Sequence, residues 1–163
     1  MDASKRIEVV ACGLERRAIA ARQFVPGERI VTVAGLVHPE PSRHSLEVDT
    51  GVHVAPPANL DAATLAREYP WVFLEHSCDP NARVVGRDVV AWRAIAPGEA
   101  VTFDYRTTES ELAAPFPCTC GAVSCRGELV LGWRRLDPAV QARLAAQASP
   151  HLLRRPAASD RAT

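Results

Sequence analysis

Thirteen prolines and nine glycines interrupt this 163-residue chain about every seven residues. Proline and glycine end helices and set turns, so this punctuation predicts many short strands rather than a few long helices. Strands are expected at Ile7–Ala11, Ala18–Ala21, Arg29–Ala34, Leu46–Val48, Ala82–Val85, Val89–Ala94 and Ala100–Phe103. Turns fall at Pro26-Gly27, Gly86-Arg87-Asp88 and Pro97-Gly98, with a hairpin tip at Arg87-Asp88. Two helices are expected. Asp61–Tyr69 has Asp61 as its N-cap and Pro70 as its stop; Asp137–Ala148 has Asp137 as its N-cap and Pro138 at the first helical position. The chain reads as mostly β with a helical C-terminus.

At 47% hydrophobic and 23% charged residues, the composition excludes a disordered chain, a collagen and a coiled coil. Nineteen Lys and Arg balance nineteen Asp and Glu. Without the basic excess that displaces counterions from phosphates, no direct nucleic-acid binding is expected. No segment approaches the ~18–20 apolar residues of a membrane span, and the run Ile7–Cys12 is too short for a signal-peptide core. The expected address is cytoplasmic, with no membrane partner. Thiols stay reduced there, so five cysteines point to metal binding or catalysis.

Three of them, Cys118, Cys120 and Cys125, form a Cys-x-Cys-x4-Cys pattern in a glycine-containing loop. A tight loop can present three thiolates to zinc, which takes four ligands in a tetrahedron. The fourth candidate is Cys78, within His76-Ser77-Cys78-Asp79-Pro80-Asn81. The alternatives are small buried hydrophobes or disulfides, although Cys118 and Cys120 are too close to bridge each other comfortably. Cys12, alone in an apolar run, reads as a core residue.

The block His76–Asn81, the block Gly98-Glu99-Ala100-Val101-Thr102-Phe103-Asp104-Tyr105 and the cysteine cluster together resemble the SET-domain protein lysine methyltransferases, in particular small bacterial-type members. That family carries an NHSCxPN block, a GEExTxDY block and a cysteine-rich post-SET segment, in this order. Ala20–Glu28 adds a weaker likeness. The resemblance implies small β-sheets around a pseudoknot, a zinc-binding post-SET loop and a C-terminal helix. It divides the chain into a SET domain over 6–115, a post-SET zinc loop over 116–133, a helical segment over 134–153 and a flexible tail over 154–163.

It also implies methyl transfer from S-adenosylmethionine to a lysine amine of a protein or peptide substrate. Tyr105 matches the family's catalytic tyrosine. Phe103 lines the substrate channel with it, at a position where phenylalanine leaves room for a second or third methyl. Cofactor contacts fall to Glu75, His76 (through its backbone), Arg17 and Ala18. Structural zinc falls to Cys78, Cys118, Cys120 and Cys125. Asn81 and Asp104 are expected to hold the pseudoknot, and His38, His44, His53 and His151 to lie on the surface or in loops.

Two positions depart from the family pattern. Glu75 stands where the family has asparagine, and Glu15-Arg16-Arg17 stands at its Gly-x-Gly, with Gly13 two residues away. They leave open an alternative: a SET fold with lost or altered cofactor use, serving as a binding or regulatory module or acting on a small-molecule amine.

Overall fold

A computed structural model describes residues 5–154; the rest of the expected tail lies outside the described residues. Strand β1 (Ile7–Cys12) turns through Gly13-Leu14 into β2 (Glu15–Ala20), with Cys12 opposite Glu15. Gly13 takes φ +63° there, a left-handed value that suits a two-residue hairpin loop. Next come β3 (Arg29–Thr32), β4 (Leu36–His38), β5 (Leu46–Asp49), β6 (Val52–Ala55) and helix α1 (Ala62–Glu68). They are followed by β7 (Glu75–His76), β8 (Ala82–Val85), β9 (Asp88–Ala91), β10 (Thr102–Phe103), β11 (Phe116–Pro117) and β12 (Leu129–Val130). Helices α2 (Pro138–Leu144) and α3 (Pro150–Leu153) close the described chain. The strands form five small sheets: β1-β2, β3-β9-β8, β4-β6-β5, the pair β7-β10, and β11-β12.

Alternation supplies the core. Ala82, Val84, Val89 and Ala91 point inward from β8 and β9, and Phe24, Ile30, Val33, Val54, Ile95 and Val101 are buried with them in one cluster. Each such valine or isoleucine contributes about 1.5–3 kcal/mol on burial, so sheets of two or three strands hold together by sharing this cluster.

The parallel pair β7-β10 positions the site. Thr102 lies opposite Glu75 and Phe103 opposite His76. Buried Asn81 fastens the same two blocks: its Nδ2 donates to Ala100 O (2.7 Å) and Glu99 Oε1 (3.1 Å), and its Oδ1 accepts from Thr102 N (2.8 Å). Residues 104–110 then run through the interior. Trp133 N donates to Glu109 O (2.8 Å), and Arg134 N to Ser110 O (3.2 Å). Gly132 allows this approach, because a Cβ there would lie 2.5 Å from Ser110 O and Glu111 Cα.

Several expectations need correction. The β8-β9 turn is Gly86-Arg87 rather than Arg87-Asp88, because Asp88 pairs with Val85. The strand expected at Ala18–Ala21 begins at Glu15, carried by hairpin pairing although Glu15 and Arg16 are exposed. Strands β4, β6, β7, β11 and β12 were not foreseen. The second helix ends at Leu144 rather than Ala148. Ser149 is drawn inward instead, with its N–H on Thr107 O (2.7 Å) and its hydroxyl on Val84 O (2.8 Å), and Pro150 starts α3. Cys12 is exposed at the hairpin end, not in the core. His38 and His44 are exposed as expected, but His53 and His151 are buried.

Candidate functional site

Tyr105 lies two residues beyond the end of β10. Its N–H donates to His76 Nδ1 (3.2 Å), and its hydroxyl donates to Leu74 O (2.8 Å). The ring packs against Phe103, His76 and Phe116, with centroids 4.7, 5.4 and 6.0 Å away. Burial first, then the charges of Glu75 and Glu109, push the Tyr105 phenol up to about 12, so it stays neutral at working pH. A cavity of about 500 Å³ opens beside it, walled by Trp71, Leu74, Phe103, Tyr105, Glu109 and Phe116. Aromatic walls around a polar end can accept the apolar stem and basic head of an amine.

Asp104 is fully buried and anchors this region through Arg106. Its carboxylate accepts from Arg106 Nε (2.9 Å) and Nη2 (2.6 Å), and from Arg106 N (3.0 Å). Asn81 thus ties its block to Glu99–Thr102, whereas the hydrogen bonds of the Asp104 carboxylate stay within its own turn, on Arg106.

On β2, Arg17 Nε lies 3.4 Å from Glu75 Oε2 on β7, and Ala18 is buried beside it. The two departures from the family pattern therefore face each other as opposite charges. Both side chains are about a third exposed, so the pair itself adds little stability.

Cysteines converge from two segments, the His76–Asn81 block and the loop after β11. Cys78 Sγ is 3.7 Å from Cys118 Sγ, Cys78 N donates to Cys120 Sγ (3.4 Å), and His76 Nε2 lies 3.5 Å from Cys78 Sγ. Donor atoms of His76, Cys78, Cys118 and Cys120 all fall within 4.8 Å of one another. Cys125, expected as one of the four ligands, lies outside this compact group, where His76 stands in its place; its Sγ accepts from Gly127 N (3.4 Å). A thiolate-rich donor set this tight fits zinc.

A second polar cluster was not legible beforehand: Glu47 of β5, His53 of β6, Glu109 and His151 of α3, all buried. Glu47 Oε1 accepts from Gly51 N (3.1 Å) and Oε2 from Ser110 N (2.6 Å), while Glu109 Oε1 accepts from Glu47 N (3.0 Å). These residues lie far apart in sequence, and no spacing links them. Glu109, four residues after Tyr105 with its N–H on Tyr105 O (3.0 Å), carried the one local signal.

A SET-domain family model matches residues 15–106, more than half of the chain. The chain belongs to the SET-domain family. Over 65 residues it is 42% identical to an H3 lysine-4-specific histone-lysine N-methyltransferase of Cryptococcus neoformans, spanning 34% of this chain and 4% of that protein. It is 29% identical over 102 residues to methyltransferase flvH of Aspergillus flavus, spanning 58% of this chain and 52% of that protein. The crystal structure of KRYPTONITE in complex with mCHG DNA and SAH superposes with a TM-score of 0.53 at 20% identity, covering 74% of this chain and 28% of that one. That likeness establishes the shared SET fold. Among the described residues of this SET protein, no helix is long and apolar enough to cross a membrane.

The Glu109 carboxyl gives a pH test of the buried cluster. Burial raises it to about 8, helped by the charge of Glu47 and opposed by the Glu47 N–H, against an ordinary 4.5. The folded protein thus keeps a proton that the unfolded chain releases. This contribution to stability is complete below pH 4.5 and is lost as pH rises to about 8. Glu109→Gln should raise the melting temperature relative to the parent at pH 8.5 and leave it nearly equal at pH 4.5, measured by thermal unfolding.

Proposed function

We propose that this SET protein is an S-adenosylmethionine-dependent N-methyltransferase acting on a lysine side-chain amine of a protein or peptide. The observation that supports it most is the placing of Tyr105, with its hydroxyl proton committed to Leu74 O and its oxygen beside an aromatic cavity. The histone-lysine methyltransferase relatives and the SAH held by KRYPTONITE agree with this reading. The division into a SET domain over 6–115, a post-SET loop over 116–133 and a helical segment over 134–153 belongs to the same proposal.

When bound, the cofactor supplies an activated methyl on a sulfonium. Everything else falls to the chain. Arg17 and Glu75 present a positive and a negative group side by side, complementary to the carboxylate and ammonium of the cofactor's amino-acid end. His76 and Ala18 line the backbone around that pair. Tyr105 accepts a hydrogen bond from the amine and holds it in line. Phe103, which has no hydroxyl, leaves space for the methylated amine to turn and be methylated again. Removing the proton from a free lysine at pH 7 costs about 4–5 kcal/mol. A dry aromatic channel lowers that cost by disfavouring the ammonium, and positioning supplies most of the rest.

We assign zinc to Cys78, Cys118, Cys120 and Cys125, in a structural role. His76 Nδ1 accepts the Tyr105 N–H, so the neutral ring carries its proton on Nε2 and donates toward Cys78 Sγ. A protonated nitrogen is no ligand, and Cys125 completes the tetrahedron. Elemental analysis should find one zinc per chain, lost in Cys125→Ala and retained in His76→Ala. Zinc retained by the cysteine variant and lost from the histidine variant would reverse the assignment.

Transfer of labelled methyl groups from S-adenosylmethionine to core histones and poly-L-lysine tests the activity. Tyr105→Phe should cut turnover at least a hundredfold while binding of S-adenosylhomocysteine stays within twofold. Such losses are typical when a positioned catalytic group is removed, at roughly 10²–10⁴-fold. A parent protein that binds acceptor and transfers no methyl would favour the non-catalytic module.

A further inference from the structure

Methylating an ammonium requires that a proton leave first, and the hydroxyl of Tyr105 is poorly placed to take it, since it donates to Leu74 O. Trp71, Leu74, Phe103 and Phe116 offer no base either. Among the described cavity residues, Arg43 and His44 lie on an exposed loop, whereas Glu109 is a buried carboxyl in the wall. Hydrogen bonds fix it at both ends. The backbone N–H of Glu109 on Tyr105 O sets it one turn beyond the tyrosine, and Oε1 is fixed by Glu47 N at 3.0 Å. Oε2 has no hydrogen-bond donor among the described residues. It lies 4.0 Å from Nδ1 of His53, a 3%-exposed side chain whose Nδ1 is buried without a partner.

We propose that Glu109 is the proton acceptor for the substrate amine, with Glu47 and His53 as the residues that position its carboxyl. The proposal rests on the methyl-transfer reading above. The ammonium gives one proton to Glu109 Oε2, forming the neutral acid. The nitrogen lone pair so released forms the N–CH₃ bond as the S–CH₃ bond breaks, and the electron pair of that bond stays on sulfur, turning the sulfonium into a neutral thioether. Glu109 then returns its proton to water through the cavity mouth.

The groups facing Glu109 are Glu47 from β5, His53 from β6 and Tyr105 beside β10; His151 of α3 sits 4.0 Å behind, on Glu47 Oε2. Burial and the Glu47 charge hold the Glu109 carboxyl near 8, so its basic form appears as pH rises through that value.

The test is a single-turnover pH profile from pH 6 to 10 with labelled S-adenosylmethionine, using core histones, poly-L-lysine and L-lysine as acceptors. The parent rate should rise with pH and bend near 8. Glu109→Gln should lose the bend and slow transfer by about 10²–10⁴-fold, with S-adenosylhomocysteine binding unchanged. Glu109→Asp should keep a bend at a reduced rate, which a purely structural role would not produce. Glu47→Gln should move the bend to lower pH by removing the charge that opposes ionisation. A Glu109→Gln profile that matches the parent in rate and shape overturns this inference alone. Absence of transfer by the parent to all three acceptors overturns the methyl-transfer reading, and this inference with it.

Discussion

Residues 104–110 form a polar stretch of chain held in the protein interior, and most of the site depends on how they are held. Asp104, Arg106, Thr107, Thr108 and Glu109 are all buried. Burying such groups without partners would cost about 1–3 kcal/mol each. The fold meets most of that demand, leaving the Thr108 hydroxyl without a partner among the described residues. Asp104 and Arg106 satisfy each other, Ser149 takes Thr107 O, His151 takes Thr108 O, Trp133 takes Glu109 O, and Glu47 exchanges hydrogen bonds with Glu109 and Ser110. The helical C-terminus and the 130–134 segment thus act as partners for this stretch as well as cover for the core. Tyr105 lies within it, so its hydroxyl is aimed by long-range contacts rather than by its own short turn.

Much of this was legible where chemistry is written in consecutive residues. The His76–Asn81 and Gly98–Tyr105 blocks and the cysteine spacing identified the family, and the parallel pairing of β7 with β10 brings them together. The N-caps Asp61 and Asp137 also lie where their side chains predict, each accepting from backbone N–H groups of its helix. What escaped was non-local. The strands β7, β11 and β12 have two residues each, too few for any alternation to show. His53 and His151 read as loop histidines because nothing near them in sequence reveals that Glu47 and Glu109 lie beside them in space.

The two departures from the family pattern look different once they are placed. Read alone, a glutamate in place of asparagine and three charged or polar residues in place of a glycine pair suggest decay. In space Arg17 and Glu75 adjoin, 3.4 Å apart across β2 and β7. The carboxylate of Glu75 is thus opposed by a guanidinium rather than left alone. The cavity combines a neutral Tyr105, aromatic walls and one buried carboxyl, and the proposed amine substrate, a cation that reacts as a neutral amine, suits that lining.

The central claim is that this arrangement binds the methyl donor, and calorimetric titration of the zinc-loaded protein with S-adenosylmethionine and with S-adenosylhomocysteine tests it most directly. The account predicts one site per chain for each ligand, with micromolar dissociation constants. A folded, zinc-loaded sample that gives no binding heat with either ligand, and no shift in melting temperature, would contradict it.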